Sequence, residues 1–174
     1  MRNSIPLAVF SCFTIFMSNA QAIKTQNSLI KFEVSNMALN TVKGTFNGME
    51  GTVLLDENNL GISKIEACID ATTINTNNEK RDKHLREADF FDTDKFPTIC
   101  FSSTSIKKTS KGHVANGKLT MHGITKDVEI PLTYTNKTVK GTFSLKRRDY
   151  KIGEDTGTFM VGNKIEITIQ AQIN

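Results

Sequence analysis

Tryptophan is absent, and the only histidines are His84, His113 and His122. No two of them share an H-x-H or H-x-x-x-H spacing, so a helical or strand-borne metal site has no sequence signature. There is no C-x-x-C, which removes the usual redox motif and the zinc knuckle. There is also no G-x-S-x-G and no glycine-rich loop running into a helix, which removes the nucleophile elbow and the phosphate cradle. His113 and His122 border glycines and are expected as solvated loop or strand-end residues. The residues give no positive reason to assign an enzyme, and no catalytic residue or cofactor is expected.

Long apolar runs are missing too, except at the start. Met1-Arg2-Asn3 is followed by an apolar stretch from Ile5 to Met17 and the small-residue site Ala20-Gln21-Ala22. This is the layout of a secretory signal cut after Ala22. The stretch is shorter than the roughly 20 residues of a spanning helix. Cys12 lies inside it, and a lipoprotein cut there would leave almost no apolar segment for export. The expected division is therefore a signal at 1–22 and one domain at 23–174, with the periplasm as destination. Removal takes only Arg2 among charged residues and lowers the formal net charge from +4 to +3. Both signs are interspersed, which does not argue for nucleic acid.

What remains reads as strands of alternating apolar and polar residues. They cover 29–35, 42–46, 51–56, 62–71, 98–106, 113–121, 124–135, 138–145 and 164–173, with turns at 57–61 and 122–123 and a glycine-punctuated loop at 149–162. One segment differs. Thr76-Asn77-Asn78-Glu79 matches a capping box, and Glu79–Lys83 and Asp82–Arg86 are opposite charges at i,i+4. These predict one short helix of two to three turns, docked through Leu85, Ala88, Phe90 and Phe91. The runs Lys80-Arg81-Asp82-Lys83 and Lys146-Arg147-Arg148-Asp149 read as solvated surface. Cys68 and Cys100 lie on the polar faces of their strands. They bridge if those strands are neighbours, and otherwise remain two free thiols.

One-sided alternation implies an antiparallel sheet with one wet face, and closure removes its edges. The expected architecture is mainly β, an antiparallel eight-stranded barrel with one short helix. Its interior would be rich in phenylalanine and aliphatic residues, with small residues such as Gly44 and Ala67 at intervals. Such an interior is either a hollow tube for an apolar ligand or a filled core, the latter implying a stress-related or interaction module that works through its surface.

The segment from Asn75 to Asp92, continuing into Lys95-Phe96-Pro97-Thr98-Ile99, closely resembles the signature of the YceI-like family. So do Val42-Lys43-Gly44-Thr45-Phe46, Leu119 to Lys126, Leu145 to Tyr150, and Val161-Gly162-Asn163-Lys164-Ile165. The chain departs from the pattern at Gln26-Asn27-Ser28-Leu29, where the family commonly has an aromatic, and at Ser35 to Leu39. The resemblance implies a periplasmic, extended lipocalin-like barrel that holds a polyisoprenoid, isoprenoid quinone or fatty-acid-like chain. It implies an apolar lipid as partner, only transient membrane contact, and leaves a homodimer open. By strand parity the lumen face would comprise Phe32, Val34, Val42, Phe46, Ile65, Ile69, Ile99, Phe101, Leu119, Met121, Val128, Ile130, Phe143, Leu145 and Ile167. Leu85, Phe90 and Phe91 would close one side.

Overall fold

Ten strands make one antiparallel sheet in the computed structural model, which describes residues 20–37 and 39–174. The basic start and apolar run of the expected signal lie outside the described residues. In chain order the strands are β1 (Gln21–Ala22), β2 (Leu29–Asn36), β3 (Asn40–Phe46), β4 (Glu50–Leu54), β5 (Lys64–Asp70), β6 (Thr98–Thr109), β7 (Gly112–Met121), β8 (Ile124–Thr135), β9 (Thr138–Lys146) and β10 (Val161–Gln172). The sheet order is β1-β4-β5-β6-β7-β8-β9-β10-β2-β3. The antiparallel, mainly β architecture with one short helix is the expected one. The strand number exceeds eight partly because β1, two residues long, carries no alternation to read.

Two-residue connections fold β7, β8 and β9 into a meander. His122 and Gly123 both have positive φ, at 52° and 72°, and Asn136 and Lys137 repeat the arrangement at 51° and 58°. Two successive left-handed residues give the turn whose twist matches that of the flanking strands. Long strands and tight turns together curl the sheet.

The curl is not closed by a ladder between β3 and β4. Instead, residues 71–97 cover the seam. Thr45 and Asn75 exchange backbone hydrogen bonds of 2.9 and 3.0 Å, and the Asn47 N–H donates to Thr73 Oγ1. The Phe91 ring stands edge-on to Phe46 at 5.4 Å. At the far end the N-terminal segment stitches β4 to β10: the Ile23 N–H donates to Gly51, and the Lys24 N–H to Gln172.

Helix α1 (Glu79–Arg86) has the expected length, but its cap and its charges differ from the expectation. The N-cap is Asn78, whose side chain accepts from the Arg81 N–H, so Thr76-x-x-Glu79 is not the capping box. Asp82 is buried and turns back to accept from the Thr76 N–H and hydroxyl. Arg81 donates to the Thr76 hydroxyl and carbonyl, and Arg86 to the carbonyls of Thr72 and Ile74. Asp82 and Arg86 thus bond to the chain entering the helix rather than to each other. A helix this short gains more from satisfying buried backbone acceptors than from exposed ion pairs.

Cys68 and Cys100 occupy directly opposed positions on β5 and β6 and form a disulfide, with their Cα atoms 4.1 Å apart. Cys68 is on the exposed face. The bridge therefore lies outside the barrel, at the base of the 71–97 excursion. The ends of that excursion also meet through the Ala71 N–H and the Pro97 carbonyl at 2.8 Å.

Candidate lipid-binding lumen

Alternation turns every second residue of the long strands inward, and these side chains do not fill the space they enclose. Ile69, Ile74 and Ile173 are fully buried. Phe32, Phe101, Phe143, Ile165, Ile167 and Ile169 face the same interior yet remain partly accessible. They surround a cavity of about 180 Å³. Apart from Cys68, which is on the exposed face, and Arg147, every lining residue is aliphatic, aromatic or methionine. An apolar space offers water none of the two to four partners it requires, and cavities of this order stay dry.

Sixteen of the eighteen residues assigned inward by parity, or to the helix side, line this lumen. They are Phe32 and Val34 on β2, Phe46 on β3, Ile65 and Ile69 on β5, Leu85 on α1, and Phe90 and Phe91 beyond it. Ile99 and Phe101 on β6, Leu119 and Met121 on β7, Ile130 on β8, Phe143 and Leu145 on β9, and Ile167 on β10 complete them. Val42 and Val128 do not line it. Val42 is half-buried directly opposite Val34, which lines the cavity while Val42 itself does not. Val128, opposite Gly117, is packed into the interior between two core clusters. Parity gives the face of a strand but not which of its side chains reach the cavity.

Several lining residues escaped the sequence reading. Ile165 and Ile169 share the face of Ile167, and Val139 shares that of Phe143, so strand alternation alone carried their signal. Ile23, Met49 and Ile152 come from short or irregular segments that show no period. The small residues acquire a role here. A Cβ on Gly44 would lie 2.3 Å from the Phe32 ring, and one on Gly117 would lie 2.7 Å from that of Phe101. These glycines let the two rings lie against the wall instead of projecting across the lumen.

Arg147 is the residue most changed by the structure. Its exposure is 3%, so this one member of the supposed surface run Lys146-Arg147-Arg148-Asp149 is buried while the other three are exposed. Nε donates to the Gly162 carbonyl, one terminal nitrogen to Ile152 and Gly153, and the other to Thr156 and Val161. All five guanidinium N–H groups are thereby engaged. Burial, and secondarily Arg148, lowers its pKa from the usual value. The loop 147–160, which connects β9 to β10, is folded around this side chain. Tyr150 lies beneath it, its phenol pushed up to about 12 by burial and by Asp149, so it stays neutral.

The two histidines that border glycines are not loosely solvated. His113 is buried at the end of β7 remote from that loop, 3.4 Å from Glu57, with neither ring nitrogen hydrogen-bonded. His122 bonds through Nδ1 to the Tyr150 carbonyl at 3.0 Å and packs on Phe96. The two lie at opposite ends of one strand and do not meet. His84 pairs with Asp89 at 2.8 Å on the exposed side of the helix.

Residues 22–173 match the model of the YceI-like domain. Over 142 residues the chain is 32% identical to the UPF0312 protein YE1254 of Yersinia enterocolitica, covering 76% of this chain and 74% of that protein. It is 38% identical to the protein YceI of Escherichia coli over 105 residues, which is 60% of this chain but only 55% of that protein. The crystal structure of BcnA from Burkholderia cenocepacia has the same fold, with a TM-score of 0.76 at 21% identity over 86% of this chain and 98% of that one. So does a polyisoprenoid binding domain from Saccharophagus degradans implicated in plant cell wall breakdown. Its TM-score is 0.68 at 13% identity, over 89% and 98% of the two chains.

Proposed function

Because the chain belongs to the YceI-like family, we propose that it is a periplasmic binding and carrier protein for a long-chain apolar lipid. The ligand class is an isoprenoid, an isoprenoid quinone or a fatty-acid-like chain, held inside the lumen. Export through residues 1–22, with cleavage after Ala22, is part of this proposal. The observation that carries it is the unfilled apolar lumen. Along β10 its lining runs from Val161 to Ala171, roughly 30 Å of strand, which suits a long, narrow chain. Each methylene buried there contributes about 0.8 kcal/mol, so affinity needs few polar contacts. The wall offers few, because Arg147 has no N–H to spare. That favours isoprenoid chains, or lipids whose polar end stays outside, over ligands gripped by a buried head group. The polyisoprenoid binding described for the Saccharophagus domain points to the same class.

Native mass spectrometry of protein purified from the periplasm, followed by organic extraction, tests the reading. One co-purifying lipid per chain, on a polypeptide beginning at Ile23, is the expected result. Protein that is empty, and stays empty after incubation with a polyprenol or an isoprenoid quinone, would sink it.

A further inference from the structure

At one end of the barrel, apolar side chains also face outward. Met37 and Leu39, in the turn between β2 and β3, are 48% and 92% exposed, and Phe159 and Met160, ahead of β10, are 68% and 46% exposed. The two tips are neighbours. The Met37 N–H donates to the Met160 carbonyl at 3.1 Å, and Asn36 pairs with Val161. Just below them Val34 and Val161 belong to the lumen wall, so the apolar lining continues out onto this surface.

Composition sets the tips apart from an ordinary turn. Residues 36–41 and 157–161 contain no charge of either sign. Met37 has φ of 49°, in the left-handed region that glycine or asparagine enters at lower cost. Folding alone gives no reason for a large exposed methionine there, beside a leucine that touches almost nothing.

We infer that these tips dock on the surface of a phospholipid bilayer, and that the carried lipid enters and leaves the lumen at this end. The inference rests on the lipid-carrier reading and names where its ligand is exchanged. Apolar side chains projecting from two adjacent turns, with no charge to desolvate, can enter the boundary between head groups and acyl chains. A stable protein partner would need about 800 Å² and 20–30 residues on each side, far more than four side chains supply. A small apolar contact gives weak, reversible attachment, which is what a shuttle between membranes requires.

Because the chain lacks tryptophan, Phe159→Trp provides a single emitter on one tip and Thr133→Trp one on the outer face of β8. Vesicles of phosphatidylethanolamine and phosphatidylglycerol should shift the emission of the first to the blue, and brominated acyl chains should quench it, while the second stays unchanged. The double variant Leu39→Ser/Phe159→Ser should move a fluorescent isoprenoid quinone between such vesicles roughly tenfold more slowly or worse. It should still take up the same probe from dilute solution as the wild type does. An unshifted emission, or undiminished transfer by the double variant, overturns the docking surface while carriage stands. A shift that follows protein concentration without vesicles, with a dimer seen by light scattering, overturns it in favour of a second copy of the chain. Failure of the wild type to take up the probe even from solution overturns the carrier reading and this inference with it.

Discussion

Arg147 shows how much a single residue can organise when its burial is complete. Five carbonyls from 152–162 converge on one guanidinium, and no carboxylate accompanies it, so the carbonyl dipoles alone offset the cost of desolvating the charge. Removing the donor leaves those acceptors without partners unless the loop opens to water. Arg147→Met should therefore lower stability by about 3 kcal/mol or more in urea titrations. Arg147→Lys should recover little, since an ammonium has three donors and no planar fork. A methionine variant within about 0.5 kcal/mol of wild type, the usual range for a surface change, would return this residue to the solvated run it resembles.

At the scale of elements, the 71–97 excursion and its disulfide act together. The excursion bonds to the edge of β3 where no strand closes the sheet, and the Cys68–Cys100 bridge clamps the two strands from which it leaves and to which it returns. The bridge closes a loop with a sequence separation of 32 residues, for which restriction of the unfolded chain corresponds to roughly 3–4 kcal/mol. Reduction of the wild type should lower its urea midpoint accordingly. Cys68→Ala/Cys100→Ala should match the reduced protein and ignore the reductant. Equal midpoints for oxidised and reduced wild type would show that backbone pairing alone holds the base of the excursion. Sequence alternation located both cysteines on outward faces, but whether they met depended on β5 and β6 being neighbours after 27 intervening residues (71–97).

For the whole molecule, the question is whether the lumen is space or core. Ala67 lines the cavity and is paired with Phe101 across the β5–β6 ladder. Ala67→Trp should place an indole in the lumen with little loss of stability and abolish lipid uptake, measured by extraction and by the rise in melting temperature that a bound ligand produces. In a filled core the same change would overpack neighbours and cost about 1–3 kcal/mol. A folded, destabilised variant that still takes up lipid would contradict the hollow reading.

The sequence by itself determined the class of the fold, because a period of two turns apolar residues to one side whatever their neighbours, and strong turn signals separate the runs. It also determined most of the lumen face, since parity survives long-range rearrangement as long as register does. It could not determine which inward-facing side chains reach the cavity, and Val42 and Val128 share the lumen face without lining it. Only tertiary structure decided that Asp82 and Arg147 are buried organisers and that half-buried Arg81 bonds to Thr76. A charged residue's local pattern is the same in solvent as in a nest of carbonyls brought from elsewhere in the chain. Tertiary structure likewise decided that the lumen is unfilled, since emptiness depends on how far apart the curled sheet holds its inward side chains.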